Sequence, residues 1–388
     1  MKFDPGRPLP GAPLPWAPST MPPARPGPPY VMTDMIAAEP ALAERLARRL
    51  ASDGRMAALV AELRLTVDAG RPIVITGCGT SEHAAMAMAH ILDEPLGLRP
   101  GRGIRAVQAL ETLHAPLADG LVIAVSHEGG TWATNQALLV ARAAGAQTAL
   151  VTVSDRSPAV AHASIVVTTD EQDQSWCHTV GYLSPLVVAV VAASMLADRP
   201  VDPARLSGML SRSGDTPGTA AVAAAAARLA GCTRVITTGA GIDYVGAREL
   251  ALKIEEGARL PAVAHQLETV RHGHLAAADE ATGMILFATT VHHDAVMERV
   301  EAVLRSAEAL GMGVVGVLDS EADSRIDQSL TSAGRLMLPA VADLPGPAGA
   351  ALTSTIGLQL LAERLARARG VNPDTLGRED PRQSAAHG

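Results

Sequence analysis

The sequence predicts an α/β protein built as two similar three-layer α-β-α sandwiches in tandem, each a parallel sheet with helices on both faces. Three observations carry this. Short β-branched runs alternate with helix-length segments along the chain, the pattern of βαβ units. The strand runs are continuous β-branched stretches rather than alternating apolar and polar ones, as strands covered on both faces are. The pattern also occurs twice. Ile73-Val74-Ile75-Thr76-Gly77-Cys78-Gly79 has a counterpart in Val235-Ile236-Thr237-Thr238-Gly239-Ala240-Gly241, 162 positions later.

Taken in order, the first 30 residues are rich in Pro and Gly and read as an extended arm. They lack the charged start and apolar stretch of a signal peptide. A helical lead-in is expected over about Met35–Leu65. The strand at Ile73 then ends in a Gly-rich turn that opens a helix. A second strand, Leu121–Val125, runs into Ser126-His127-Glu128-Gly129-Gly130-Thr131. Leu138–Asp155 reads as helix, Gly145, then strand, and Val303–Asp319 repeats that arrangement around Gly311. A third echo pairs Ile165-Val166-Val167 with Leu336-Met337-Leu338. The apolar run Leu186–Leu196 is too short to span a bilayer and reads as a buried helix. Asp202–Pro217, with Ser, Gly and Pro, is the expected boundary, and Thr219 is the expected cap of a helix over Ala220–Ala230. The expected division is an arm over 1–30, a first sandwich with its lead-in over 31–215, a second over 216–372 and a tail over 373–388.

Composition narrows the function. Apolar residues make up 48% of the chain and aromatics 2%, so the core must be built from Ala, Val, Leu and Ile. That leaves little for a base-stacking surface or a ring-lined carbohydrate platform. The net charge of −8 offers no basic patch for a phosphate backbone, so nucleic acid is not an expected partner. Three cysteines without a CxxC pair argue against disulfides and zinc, and a reduced, cytoplasmic setting fits. No histidine spacing suggests a metal site. Gly77-Cys78-Gly79-Thr80-Ser81-Glu82 begins like a dinucleotide fingerprint but has Glu where the third Gly belongs, so no dinucleotide cofactor is expected.

The chain has 32 basic residues, and two are lysine: Lys2 and Lys253. Where arginine serves almost everywhere, a retained internal lysine marks a place that needs a compact ammonium. Lys253 lies in Arg248-Glu249-Leu250-Ala251-Leu252-Lys253-Ile254-Glu255-Glu256, and Glu256 shares its helix face. The bland reading is an ordinary Glu249–Lys253 helix pair. From the residues alone, Glu255 and Glu256 compete as the inward carboxylate, and His272 competes with His265 and His274. His83, His114 and His292–His293 read as surface or packing residues. In open α/β sheets ligands bind beyond the carboxyl ends of the strands. The two loops there in the first half, Gly77–Ser81 and Ser126–Thr131, offer hydroxyls and N–H groups at helix starts, an anion-binding arrangement. Their bland reading is helix capping. The second half has no Gly-rich turn after Met284–Ala288, which makes the first half the expected ligand binder.

At these motifs the chain resembles the tandem sugar isomerase (SIS) domain proteins, in particular the isomerase half of glucosamine-6-phosphate synthase, sugar-phosphate isomerase/deaminases and fructosamine-6-phosphate deglycases. The resemblance covers roughly Val31 to Asn372. It rests on Gly77–Ser81, Ser126–Thr131, Cys177–Tyr182, Glu249–Glu256 and Thr269–Leu275, in the family's order. It implies flavodoxin-like sheets and aldose–ketose chemistry through an enediol. Glu256 would be the base and His272 the ring-opening group, reaching across from the second subunit of a homodimer. Lys253 would hold Glu256 or a sugar oxygen. Cys78, Gly79, Thr80, Ser81, Ser126, His127, Glu128, Gly129 and Thr131 would form the phosphate loops, with Trp176, His178 and Thr179 at the pocket edge. No cofactor, metal or membrane is implied.

The chain also departs from that pattern. The family's Ser-Gln-Ser-Gly-Glu-Thr loop has become Ser126-His127-Glu128-Gly129-Gly130-Thr131. A carboxylate at 128 repels a phosphate if it points inward, so either Glu128 turns away or the ligand carries something else there, such as an amine. Val-Ala-Ser-Thr-Lys has become Trp176-Cys177-His178-Thr179-Val180. The family's C-terminal Pro-Arg-Asn-Leu-Ala-Lys is here Pro381-Arg382-Gln383-Ser384-Ala385-Ala386, without the lysine. The start Met1-Lys2-Phe3-Asp4 has no nucleophilic cysteine, so glutamine-dependent transfer is not expected. The leading expectation is an isomerase or isomerase/deaminase. The alternatives are a fructosamine-phosphate deglycase and a non-catalytic sugar-phosphate sensor.

Overall fold

The structure is a computed structural model that describes residues 7–8, 24–98, 103–289, 294–341, 344 and 346–386. Most of the expected N-terminal arm, and His292–His293, lie outside the described residues. The elements are α1 (Val31–Leu50), α2 (Gly54–Asp68), β1 (Ile73–Gly77), α3 (Thr80–Asp93), β2 (Arg105–Gln108), α4 (Ala109–His114), β3 (Leu121–Val125), α5 (Trp132–Ala143), β4 (Gln147–Thr152), β5 (Ile165–Thr168), α6 (Val180–Leu196) and α7 (Pro203–Ser213). There follow α8 (Thr216–Leu229), β6 (Arg234–Gly239), α9 (Ile242–Lys253), β7 (Ala262–Gln266), β8 (Thr282–Ala288), α10 (Asp294–Ala309), β9 (Gly313–Leu318), α11 (Ser320–Arg325), β10 (Gly334–Met337), α12 (Gly346–Ala368) and α13 (Pro381–Ala386).

Two compact units result. One contains Ala38–Gln174 and Val180–Gly208, the other Pro23–Ala37, Ser175–Thr179 and Met209–Gly388. Each holds one five-stranded sheet. The first has the order β2-β1-β3-β4-β5 and the second β10-β9-β8-β6-β7. Read from the other edge, the second order repeats the first, and all pairs are parallel. The duplicated sequence is therefore a duplicated topology, with β1 matching β6 and β3 matching β8.

The cores are aliphatic, as the composition requires. In the first unit β1, β3 and nearly all of β4 are buried. In the second, Met284 and Leu286 of β8 pack with Val300, Val303 and Leu304 of α10. Tyr182 and Phe287 are the aromatic side chains less than 2% exposed. Each buried aliphatic side chain contributes about 1.5–3 kcal/mol by leaving water. The run at Leu186–Leu196 is part of α6, which is buried along most of its length. No helix among the described residues is long and apolar enough to cross a membrane.

Two expected boundaries are corrected. The lead-in is two helices, because Asp53 caps a new one through Arg55 N. The helix opening the second half starts at Thr216, with Asp215 accepting from Gly218 N. Thr219 lies inside it. Pro217 is tolerated in the first turn, where no intrahelical N–H is needed. The N-terminus of α1 is capped at long range: Val31 N and Met32 N each donate at 2.8 Å to Asp374, which also accepts from Ser175 Oγ at 2.9 Å.

Candidate active site

In the first sheet, β1 and β3 are neighbours whose chains lead off to opposite sides, so a crevice lies beyond their carboxyl ends. The two expected loops are the ones that reach it. Gly77 cannot carry a side chain, since a Cβ would sit 2.6 Å from Ser81 carbonyl atoms. Gly79 has φ 57° and ψ −129°, a conformation suited to glycine. Neither α3 nor α5 has a side-chain N-cap hydrogen bond, so their first N–H groups are not used up by capping. Thr80 and Ser126 are buried, Ser81 is half-buried, and Thr131 is exposed. The half-buried Cys78 contacts Thr134 Oγ1 at 3.8 Å, and burial pushes its thiol pKa up against that contact. The thiol is therefore neutral at pH 7.

The second loop contains a surprise. His127 Nε2 accepts from Asp173 N at 2.9 Å, which assigns the proton to Nδ1. Asp173 in turn accepts from Gly181 N at 3.1 Å. The ring is thus a strut between the end of β3 and the start of α6, and this Nε2 is committed inside the protein. Gly129, at φ 68°, packs so closely that a Cβ would meet Ser157 Cβ at 2.6 Å. Glu128 Oε1 accepts from Gln172 Nε2 at 3.4 Å.

The matching crevice of the second sheet lies beyond β6 and β8, and it is filled from within. Gly241 repeats Gly79 almost to the degree, with φ 57° and ψ −126°. Asp243 stands where Ser81 stands in the first half. Its carboxylate accepts from Thr289 N at 2.8 Å and also binds Thr289 Oγ1. A built-in anion takes the N–H that a ligand anion would need. This accounts for the divergence of the halves by a side chain, whereas the sequence reading had looked to the loop after β8, whose residues 290–293 lie outside the described set.

The Lys253 cluster is at the other end of the second sheet. Helix α9 does not stop at Lys253 but widens into a π-helical turn over Ile254–Ala258, a local unwinding common at functional sites. It ends at Arg259 with φ 49°. Lys253 is fully buried, with Nζ 2.5 Å from Glu256 Oε2 and 3.5 Å from Glu249 Oε1. Glu249 is fully buried, while Glu256 is 24% exposed. Glu255 points elsewhere, to Ala262 N at 3.3 Å, and is exposed. The turn thus decides between the two glutamates. Burial pushes the Glu256 carboxyl pKa up, and the opposing pull of Lys253 does not cancel it. Burial disfavours the Lys253 ammonium, but Glu256 and Glu249 together hold it above its usual range.

Ser175–Thr179 lines this cluster. Cys177 hydrogen-bonds Glu256 and lies 4.0 Å from Lys253 O. Burial, reinforced by Lys253, pushes His178 down to about 4, so its ring is neutral at pH 7. Thr179 is buried and its carbonyl accepts from Gln359 Nε2 at 3.2 Å. Trp176 lies under the Arg378 guanidinium, 3.8 Å from the ring centroid, so an arginine of the C-terminal segment covers it.

His272 is placed apart. It follows a short turn, Thr269–Arg271, and its side chain is 70% exposed, bonded to Glu268 at 3.1 Å. Topology keeps it from Glu256 within one chain. Helix α9 runs back from the end of β6, so Glu256 precedes the start of β7, where Ala262 pairs with Val235. His272 follows the end of β7, where Gln266 pairs with Gly239. A five-residue strand is about 17 Å long. His265 and His274, its sequence rivals, stack on each other at 3.7 Å.

The SIS domain family matches residues 68–199 and 228–367, more than half of the chain. The chain belongs to the SIS domain family. It is 28% identical over 325 residues to the glutamine–fructose-6-phosphate aminotransferase (isomerizing) of Symbiobacterium thermophilum, covering 79% of this chain and 51% of that one. This SIS chain therefore spans about half the length of the curated relatives it matches. Its fold matches the C-terminal domain of glucosamine-fructose-6-phosphate aminotransferase from Francisella tularensis with TM-score 0.73 and 21% identity, over 90% of this chain and 99% of that one. It matches tagatose-6-phosphate ketose/aldose isomerase from Escherichia coli with TM-score 0.66 and 17% identity, over 92% and 98%.

Several residues of this SIS chain's candidate sites went unmarked in the sequence. Gln172, Asp173 and Asp243 gave no signal, because each partner lies more than 40 positions away. Glu249 was visible as the other arm of the Lys253 helix pair, but its burial was not.

Proposed function

We propose that this SIS protein is an aldose–ketose isomerase, or an amino-sugar-phosphate isomerase/deaminase, that moves a proton between C1 and C2 of an open-chain sugar derivative through an enediol. The observation that carries the reading is the Glu256 carboxylate: part-exposed, raised in pKa, and held at 2.5 Å by a buried lysine. A base for this chemistry must be deprotonated yet basic enough to take a carbon-bound proton, and burial supplies that basicity. The second carboxylate has a distinct part. When Glu256 takes the proton it becomes neutral, and Glu249 keeps the buried ammonium compensated. Lys253 thereby fixes the base without being stranded in mid-reaction.

The Gly77–Ser81 loop is assigned the substrate's polar end, through N–H groups that no side chain caps. His272 is assigned ring opening, contributed by a second copy of the chain. Its exposure and its place at the far end of β7 from Glu256 support that assignment.

The test is NMR in deuterated water with a panel of sugar phosphates and fructosamine phosphates. Deuterium incorporation at C1 or C2, abolished in Glu256→Gln, is the expected result. Release of free amine instead identifies a deglycase, a reading favoured by the large Trp176 and His178 side chains. Binding without any turnover across the panel overturns the enzyme reading in favour of a sensor.

A further inference from the structure

We propose that Arg378, seated over the ring of Trp176, is a substrate-binding residue of the Glu256 site, and that its guanidinium takes an anionic group, a carboxylate or a phosphate, carried by the substrate. This rests on the reading of Glu256 as the base of a sugar-derivative isomerase and adds what that site reads in its ligand.

The C-terminal segment is fastened beside Glu256. At Gly257, the next residue, a Cβ would sit 3.4 Å from both Cys177 Sγ and Pro373 Cβ. The π-turn, the segment Ser175–Thr179 and the C-terminal segment therefore meet there. Asp374 accepts from Ser175 Oγ at 2.9 Å. Arg259, at the end of the π-turn, donates to Thr375 Oγ1 at 3.2 Å and pairs with Glu379. Between these anchors Leu376 and Gly377 both take positive φ, 48° and 78°. This tight reversal brings Arg378 over Trp176, 3.8 Å from the ring centroid.

Held in this way, the guanidinium has no counter-ion. Its two acidic neighbours are taken: Glu379 pairs with Arg259 and Asp380 with Arg382. Arg378 is half-buried and its Nε is buried without an acceptor. No acceptor among the described residues reaches the rest of its side chain. By contrast Arg367, which lies over Tyr30, is also bonded to Glu363. An aromatic face attracts a cation from above but accepts none of the N–H groups around its edge. A half-buried donor left open in this way is rare enough to require a reason.

The ligand class follows from charge. A guanidinium only donates, and its planar fork matches the paired oxygens of a carboxylate or a phosphate. The neighbouring cluster sets one ammonium, Lys253, against two carboxylates, Glu249 and Glu256. With both ionised it repels an anion. Lys253 is fully buried and held by both glutamates, so it does not answer for a charge on the substrate. Arg378 supplies that cation.

The test is calorimetric titration and turnover of the full chain with matched hexoses and fructosamines. Each is offered without an anion, as the 6-phosphate, and with a carboxylate, as the uronate or the amino-acid adduct. The form whose affinity depends on Arg378 identifies which anion is read. Arg378→Gln is expected to weaken that form at least tenfold, through KM and not kcat, and to leave the matched neutral form unchanged. Arg378→Lys is expected to restore the affinity only in part. Trp176→Leu, which removes the ring and keeps the charge, is expected to weaken the same form, so the outcome does not hang on one variant folding. Affinities unmoved by Arg378→Gln in all three forms overturn the proposal, even where Glu256-dependent turnover persists. Arg378-dependent affinity without Glu256-dependent turnover keeps this anion site and overturns the isomerase reading instead. Failure of every form to bind the wild type overturns both.

Discussion

Lys253 Nζ lies 2.5 Å from Glu256 Oε2, with the ammonium fully buried and the carboxylate open to solvent along one side. The asymmetry suits the base role proposed for Glu256. The lysine cannot move away, and the carboxylate can still meet a ligand.

Replacing Glu256 with Gln keeps the shape and the contact to Lys253 but removes the basic oxygen. Turnover of the substrate should fall about 10²–10⁴-fold, the usual worth of a positioned base. Comparing kcat/KM with ligand affinity in the same variant checks this. A matching loss of binding would point to a binding role instead.

Lys253→Met should destabilise the fold by about 3–5 kcal/mol, because Glu249 would be left buried without its cation. Lys253→Arg should not restore full stability, since the planar fork does not fit a site built around a compact ammonium. Urea unfolding of the three proteins measures both effects.

The pH dependence has two parts of opposite sign. His178 is depressed from 6.5 to about 4, so it contributes stability that is present above 6.5 and lost as pH falls toward 4. His178→Asn should flatten that acid loss. Glu256 is raised, so it favours folding most below the ordinary glutamate range and less as pH rises through its own value. Activity runs the other way, rising with pH as Glu256 ionises, with an acid limb above the usual carboxylate range. Unfolding midpoints and kcat/KM, each followed against pH, separate the two.

Asp243→Ala should cost about 2–3 kcal/mol, because Thr289 loses a charged acceptor for two donors. Thermal unfolding checks the size. An anion should bind at the second-sheet crevice of this variant and not at that of the wild type, where Asp243 already occupies Thr289, which a sulfate titration by NMR reads directly.

Much of this fold was legible in the residues. β-branched runs with a glycine turn after them (β1, β3, β6) or before them (β4, β9) located these strands, and their repetition announced two copies of one topology. The single internal lysine pointed to the buried cluster of Lys253, Glu249 and Glu256 before any geometry. Gly77 and Gly239 were readable as turns because the backbone closes on them within five residues.

Local pattern determines which segments become strands and helices, and composition determines that their core is aliphatic. Tertiary structure decided the rest. It chose Glu256 over Glu255 through a π-turn, set His272 at the far end of β7, turned His127 into a strut, and joined Glu128 to Gln172 and Asp243 to Thr289. The reason is physical: a side chain's neighbours across a sheet depend on strand order and on the path of the chain between strands, and neither is written in the residues that finally touch.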